Sequence, residues 1–292
     1  MVRLLSLWTL CLTLAFASTS SAQPAVTVQA CGGTKAAFSF GNHLSTPGQE
    51  HYPRLSDVQK DAFVSAFCRE VTNVRNWHAN EGWGASPTLP NLKISVDDKF
   101  ESSGSLVHMA LGEAGRIDFP AHEVEVGQTG IAHELTHLFL PNGNRFLAEG
   151  LAVYVQQKIG SNHAMPNFGM PLDQIVREFT CGMHLVEIPR PDLENIRFAE
   201  ADRIATPTLI TLRIGVVPYQ SAYAYAIFGS FVQFLIESQG MDKFRKLYHL
   251  TPLKPGERNE GSPDRWATVY GAPLAALEKN WRSRIAKVNC PR

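Results

Sequence analysis

The segment IAHELTHLFLPNGNRFLAEGLAVY, Ile131–Tyr154, carries the most informative pattern in the chain. Within it, the pentad HELTH places His133 and His137 four residues apart. Residues four apart share one face of a helix, so both imidazoles can reach one metal ion. Glu134 lies beside that face, where its carboxylate is free to take a proton from a metal-bound water. The pattern therefore predicts a metal site on a helix.

A catalytic zinc ion needs a third protein ligand besides two histidines. The metzincin spacing requires a histidine at position 143, where the chain has Gly143. A thermolysin-like spacing of about twenty residues falls in the region of Gln156 and Gln157, which are not acidic. No Gly-Thr-x-x-Asp run follows that could supply an aspartate. Elimination leaves Glu149, twelve residues after His137.

The surroundings of Glu149 support this choice. Its helix is apolar on several sides, and an unpaired charge inside such a helix is costly. Gly150 costs about 1 kcal/mol in a helix relative to alanine, which predicts that another backbone packs closely there. The turn Pro141–Asn144 lets the second helix fold back on the first. The alternative is that Glu149 lies on the surface, faces solvent and binds no metal.

The sequence of this segment resembles a known group of enzymes. HELTH followed by LAEGLAVY is similar to the gluzincin zinc metallopeptidases, and particularly to compact peptidases of the MA-like superfamily. Aminopeptidase N relatives have a similar E-G-F-A segment after a longer gap, so the chain departs from them there. A looser similarity covers Gly127–Ile285, including Ala222–Gly240 and Val269–Ile285. The resemblance implies one Zn²⁺ ion bound by His133, His137 and Glu149, with Glu134 as the general base.

Gluzincins often add a tyrosine that donates a hydrogen bond to the developing oxyanion. Tyr225, four residues before Gly229, is the counterpart here, although the comparable gap in aminopeptidases is one residue shorter. Tyr223 is the alternative candidate for this role. The structural alternative for Tyr225 is a position in the hydrophobic core. Tyr154 packs or supports a ligand. The same resemblance implies a sheet-edge strand that holds extended substrate, for which Leu111–Gly115 is the candidate.

The chain as a whole predicts an α+β fold. A small N-terminal mixed sheet with helices is followed by the HExxH helix and a mainly helical C-terminal part, a zincin-like arrangement. We expect a signal peptide at 1–22 and a single domain at 23–292, with an α/β part at 23–126 and a mainly helical part at 127–292. The pattern predicts strands at Leu92–Asp97, Ser105–Leu111 and Gly115–Phe119, with one or two more in Gln23–Pro53. It predicts one helix that begins at Ser56. It predicts further helices at Thr129–Phe139, Phe146–Ile159, Ser221–Ser238, Met241–Leu250 and Leu274–Val288.

The N-terminus and the cysteines predict export. Arg3 precedes an apolar stretch that ends in small residues, as in a secretory signal; a membrane anchor is the alternative. Its removal would leave four cysteines, an even number typical of disulfides in an exported protein. We expect Cys31–Cys68 and Cys181–Cys290, with buried free thiols as the alternative. No Asn-x-Ser/Thr sequon occurs, which favours a bacterial periplasmic or secreted protein.

Composition limits the function. The formal net charge is zero, which gives no support to a nucleic-acid or membrane-surface role. The sequence therefore predicts a zinc metallopeptidase that hydrolyses peptide bonds of a peptide or protein with a metal-bound water activated by Glu134. The alternatives are a catalytically inactive zincin-fold binding protein and a non-peptide zinc amidase that acts on cell-wall material. Endo- or exopeptidase action and the oligomeric state stay open.

Overall fold

A five-stranded mixed sheet forms the N-terminal part of the fold. The computed structural model describes residues 26–41, 55–85, 87, 89, 91–100, 104–106, 115–160, 163–181, 209–212, 215–254, 259 and 261–290. The strands of the sheet are β1 (Val26–Cys31), β2 (Thr34–Phe40), β3 (Leu92–Asp97), β4 (Gly104–Leu106) and β5 (Arg116–Pro120). Their spatial order is β1-β2-β3-β5-β4, with β2, β3 and β5 parallel and the two edge strands antiparallel to their neighbours. The predicted small mixed sheet is confirmed.

Helix α1 (Asp57–Asn80) packs against this sheet. It begins at Ser56, as predicted, with a capping box: the Ser56 hydroxyl accepts a hydrogen bond from the Gln59 backbone, and the Gln59 side chain accepts one from the Ser56 backbone. Its apolar face joins an aromatic cluster with edge-to-face rings, which fixes the helix over the sheet. The cluster consists of Phe38, Phe63, Phe67 and Phe119.

The rest of the described chain is mainly helical. Its elements are α2 (Ala121–Glu125), α3 (Ile131–Phe139), α4 (Arg145–Ile159), α5 (Leu172–Cys181), the hairpin β6 (Leu209–Leu212) and β7 (Gly215–Pro218), α6 (Tyr219–Gln239), α7 (Met241–His249), α8 (Arg265–Tyr270) and α9 (Leu274–Ile285). The predicted helices are present, with ends shifted by a few residues. The sequence pattern did not predict α2 and α8, which are too short to show a helical period. It also did not predict α5, whose buried Leu172, Ile175 and Val176 do follow that period.

Helices α4 and α6 approach each other closely at two glycines. A Cβ added to Gly150 would lie 2.7 Å from the Phe228 carbonyl oxygen and 2.6 Å from Val232 Cγ2. A Cβ added to Gly229 would clash in the same way with Val153. The close packing predicted from Gly150 is confirmed, and it buries almost the whole of α4, from Phe146 to Gln156.

A disulfide joins Cys31 at the end of β1 to Cys68 in α1, as predicted. Cys290 is also disulfide-bonded. The side chain of its expected partner, Cys181, lies outside the described residues, so this second pairing stays a prediction. Among the described residues, no helix is long and apolar enough to cross a membrane. The signal peptide at 1–22 lies outside the described residues, and the single-domain division stays a prediction.

Candidate metal centre

Two helices and the turn between them position the predicted ligands. His133 and His137 lie one helical turn apart on α3, and Glu149 lies in the second turn of α4. Asn144 caps α4, because its side-chain oxygen accepts a hydrogen bond from the Leu147 backbone at 3.0 Å. The two-helix arrangement predicted from the sequence is therefore present.

The three side chains meet at one point. Nε2 of His133 lies 3.1 Å from Oε2 of Glu149, and Nε2 of His137 lies 3.2 Å from the same oxygen. The two Nε2 atoms are themselves 3.2 Å apart. Glu149 is only 6% exposed, which excludes the solvent-facing alternative. The three residues form a group that could hold a metal ion.

The donor atoms fit a zinc ion in both chemistry and spacing. Imidazole nitrogen and carboxylate oxygen are ordinary zinc ligands. A tetrahedral ion with bonds of about 2.0–2.1 Å keeps its ligand atoms roughly 3.3 Å apart. The observed triangle has edges of 3.1–3.2 Å, so it already has nearly the size that such an ion requires. Three protein ligands would leave a fourth coordination position for water or substrate, as a catalytic zinc ion requires.

The electrostatics of the triangle favour a charged carboxylate. Burial by itself would raise the pKa of Glu149, but the adjacent His137 and His133 hold that pKa well below its usual value. Burial by itself would lower the pKa of His137, but the Glu149 carboxylate raises it overall. In the absence of a metal ion, the charge of Glu149 and a proton on His137 therefore stabilise each other.

Arg145 and Tyr225 complete the surroundings of Glu149. The Arg145 guanidinium lies 3.2 Å (Nε) from Oε1 of Glu149, the carboxylate oxygen that faces away from the histidines. Arg145 also donates a hydrogen bond to the Tyr225 hydroxyl. The Tyr225 ring lies 5.8 Å from the His133 ring, measured between centroids. Burial, followed by the charge of Glu149, raises the pKa of Tyr225, so this hydroxyl stays protonated at neutral pH.

Glu134 faces a small cavity beside the triangle. The cavity has a volume of about 80 Å³, and His133 and Tyr225 also line it. Glu134 is only 4% exposed, so the cavity is its main access to substrate or water. Glu123, on α2, lines the same cavity. Burial, followed by the charge of Glu134, raises the pKa of Glu123 to about 7.

The turn between α3 and α4 is held by a distant part of the chain. The Asn142 amide donates to the Tyr248 carbonyl at 2.8 Å, and its oxygen accepts from the Thr251 hydroxyl at 2.9 Å and the Asn144 backbone at 2.8 Å. Asn259 donates from its backbone to the Gly143 carbonyl. Thr251 and Asn259 thus support the turn that sets the angle between the two ligand helices.

The structure brings together His133, His137, Glu149 and Tyr225, and it places Glu134 on the adjoining cavity. The Tyr223 side chain and most of the Leu111–Gly115 strand lie outside the described residues. Tyr154 is buried and lies near Lys158, with its ring 5.4 Å from that ammonium group.

Sequence reasoning missed Arg145 and Glu123. Arg145 could have been found as the partner of Glu149 four residues later on the same helix. Glu123 belongs to no motif, and no local pattern indicates that α2 reaches the site.

Comparison with known proteins finds a distant likeness in structure. No protein-family model matches the chain, and no curated protein matches it by sequence. Among solved structures, a variant of an M1 zinc metallopeptidase from Deinococcus radiodurans, bound to a Tyr-Ser-Ala substrate, matches with a TM-score of 0.40 and 12% identity. The match covers 92% of this chain and 53% of the other, so this chain spans about half the length of that protein.

Proposed function

We propose that this protein is a zinc-dependent hydrolase of peptide bonds, of the gluzincin type. His133, His137 and Glu149 bind the zinc ion, and Glu134 is the general base. The observation that carries the proposal is the buried triangle of two imidazole nitrogens and one carboxylate oxygen, 3.1–3.2 Å on each side. A zinc ion bound there supplies a Lewis acid that polarises a carbonyl group and lowers the pKa of water.

The carboxylate of Glu134 performs the proton transfers. It lies next to a ligand on α3 without joining the triangle, and it lines the cavity. A carboxylate in this position can accept a proton from the attacking water and pass it to the leaving amine. Accepting the first proton requires Glu134 to be ionised, and the carboxyl group protonated in that step is the acid that protonates the amine.

The hydroxyl of Tyr225 stabilises the negative charge that develops on the carbonyl oxygen. Its raised pKa keeps it protonated, and it lines the same cavity as Glu134. Arg145 donates a hydrogen bond to this hydroxyl, which orients its proton toward another acceptor. A hydrogen-bond donor fixed in advance stabilises a developing oxyanion more strongly than water does.

We further propose that the protein is exported, to the periplasm or the exterior, and acts on a peptide or protein substrate. The disulfide Cys31–Cys68 and the disulfide-bonded Cys290 support an oxidising compartment.

The decisive test compares zinc content and turnover in three proteins. The wild type should bind one zinc ion, Glu149→Ala should lose most of it, and Glu134→Gln should retain zinc but lose hydrolysis of a broad peptide library. Equal zinc in the wild type and Glu149→Ala would overturn the ligand assignment. A wild type that binds zinc but cleaves no peptide would favour the binding protein, and cleavage of cell-wall fragments alone would favour the amidase.

A further inference from the structure

Strand β1 forms an edge of the sheet, and in the described part of the chain its outer side has no pairing partner. It pairs with β2 in continuous register from Val26 to Cys31. An edge strand presents unpaired backbone N–H and C=O groups, which natural sheets usually protect with a charge, a proline or a bulge. The sequence of β1, VTVQAC, carries no charge and no proline, and its register has no bulge. The outer edge of β1 is therefore able to accept another strand.

The side chains of β1 are exposed on both faces of the sheet. On the face toward α1, Thr27 and Gln29 line a groove of about 490 Å³, and α1 forms the opposite wall. Successive side chains of a strand point to opposite faces, so Val26 and Val28 lie on the other face. They are 61% and 64% exposed. A strand added beside β1 would direct one set of alternate side chains toward the valine face and the other set into the groove.

A lysine lies one strand inward from β1 on the valine face. Lys35 on β2 is exposed and is the Cα partner of Ala30 on β1. Among the residues that the structure describes, its side chain makes no ion pair or hydrogen bond. Neighbouring strands are about 4.8 Å apart, so an added strand would lie about 10 Å from the Lys35 backbone. Because Ala30 is small, a lysine and a glutamate can meet above it across that distance.

A second cation extends the positive charge of this face away from the edge. Lys93 on β3 is exposed, and it is the Cα partner of Arg116 on β5. The acidic groups on this face are already paired: Asp118 with Arg116 at 2.9 Å, and Asp97 with Lys99 at 3.3 Å. Like charges on neighbouring strands destabilise a sheet, and an anionic group nearby relieves that repulsion. The valine face therefore favours an acidic partner.

The groove face of β1 has the opposite preference. Asp57 and Asp61 of α1 line the groove, and Lys60 pairs with Asp57 at 3.0 Å. The Asp61 side chain has no ion pair or hydrogen bond within the described ranges. An acidic side chain directed into the groove would be repelled by Asp61. Acidic residues of an added strand consequently fit at every second position only.

We propose that β1 docks an extended acidic segment of a partner protein, which adds to the sheet as a further strand and directs acidic side chains at alternate positions toward Lys35. This surface shares no residue with the metal centre, and the proposal goes beyond the proposed hydrolysis. The unpaired backbone edge favours a polypeptide over an acidic polysaccharide, because only a polypeptide completes its hydrogen bonds as a strand. A second copy of this chain fits less well, since its own β1 has no acidic residue to meet Lys35.

Two peptides of equal composition test the alternation. The probes are acetyl-TETETET-amide, with glutamate at every second position, and acetyl-TTEEETT-amide, with the same residues in a block. Binding is followed by NMR titration of the backbone amides, in Glu134→Gln protein so that the probes are not cleaved. The alternating peptide should bind at least about threefold more tightly than the block peptide. It should shift the amide signals of Val26–Cys31.

Substitution of the two lysines tests the geometry of the charges. Lys35→Glu should weaken binding of the alternating peptide by at least about fivefold, because a repulsive charge replaces the nearest cation. Lys93→Glu lies about 14 Å from the added strand and should weaken it by only about twofold. Lys279→Glu, exposed on α9, is the matched control and should have no effect. Lys35→Ser should give an intermediate loss, and it serves if Lys35→Glu does not fold by circular dichroism.

Several outcomes would overturn the proposal. Equal affinity for the two peptides, or unchanged affinity in Lys35→Glu, would show that acidic side chains are not read at alternate positions. Amide shifts confined to α3 and α4 would mean that the peptide binds at the metal centre. A sulfated oligosaccharide that binds near Lys35 while neither peptide binds would show an anion site without strand addition. A dimer in sedimentation that Val28→Glu dissociates would assign the edge to a second copy of this chain.

Discussion

Arg145 and Glu149 form an ion pair four residues apart on α4, with 3.2 Å between Nε and Oε1. The pair fixes the outward carboxylate oxygen of Glu149 and leaves Oε2 directed at the two histidines. A partner of this kind orients a metal ligand and tunes its affinity. The position of the third ligand therefore depends on a residue that contributes no donor atom of its own.

We expect Arg145→Ala to weaken zinc binding by about 10–100-fold, because the Glu149 carboxylate loses the group that orients it. Arg145→Lys should recover part of this loss, since it keeps the charge but not the planar guanidinium. Zinc affinity is measured by competition with a chelating dye. Lys158→Ala, on the same helix but paired with Glu237, is the matched control and should bind zinc as the wild type does. Equal affinity in Arg145→Ala would show that the pair does not position the ligand.

Zinc affinity should fall as the pH is lowered, because zinc binds the neutral imidazole. The pKa of His137 is raised above 6.5 in the metal-free protein, so the proton already competes with zinc near neutral pH. Below that pKa the affinity should decrease about tenfold per pH unit for each imidazole that must lose a proton. Dye competition between pH 5.5 and 8, together with the number of protons released on zinc binding, measures this. An affinity independent of pH over that range would contradict the charged His137–Glu149 pair.

Glu123 should reduce the stability of the metal-free protein at high pH. Its folded-state pKa of about 7 lies above the ordinary value of 4.5, so between these pH values the folded state binds more protons than the unfolded state. The contribution of Glu123 to the unfolding free energy is fully present below pH 4.5 and is lost as the pH rises to about 7. From pH 5 to pH 8, the unfolding free energy of Glu123→Gln should therefore increase by on the order of 1–3 kcal/mol relative to that of the wild type. Urea unfolding at both pH values measures the difference, and Glu125→Gln should show none of it.

The close approach of α4 and α6 predicts that Gly150→Ala destabilises the protein. In an open helix the change would gain about 1 kcal/mol, but here the new methyl group meets the Phe228 carbonyl oxygen. Overpacking should outweigh that gain and cost about 1–3 kcal/mol net. Gly104→Ala is the control, because a Cβ there meets nothing within 4 Å. Chemical unfolding of both variants measures the cost, and a more stable Gly150→Ala would disprove the tight packing.

Asn142→Ala should affect both stability and the metal centre. The change removes one hydrogen bond each from the Tyr248 carbonyl, the Thr251 hydroxyl and the Asn144 backbone. We expect a loss of about 1–3 kcal/mol in unfolding free energy, and weaker zinc binding because the angle between α3 and α4 is no longer fixed. Asn259→Ala removes an exposed side-chain bond to Pro252 and should cost less than about 1 kcal/mol. If zinc binding stays unchanged in a clearly destabilised Asn142→Ala, the network supports the fold but not the site.

The parts of this protein that sequence reasoning could predict are those governed by local rules. The spacing of His133 and His137 is set by the helix period, and the start of α1 is set by the capping box at Ser56. Glu149 could be chosen because a charge in an apolar helix needs a partner, and it does lie between the two histidines.

The rest of the site depends on contacts between segments far apart in the chain. Glu123 reaches the cavity only because β5 ends where α2 can turn toward α3, which no local pattern encodes. The support of the turn by Asn259 likewise joins two loops with no shared motif.

The network around Asn142 also bears on the order in which the protein is assembled. The groups that hold this side chain come 106 and 109 residues later in the chain. During synthesis the chain emerges from its N-terminus, so all three residues of the triangle are made long before Tyr248 and Thr251. The helices that carry them can form locally, but their mutual angle is set only when this distant segment folds back. The centre should thus mature late, and a chain shortened before Tyr248 should hold zinc poorly even though it contains every ligand.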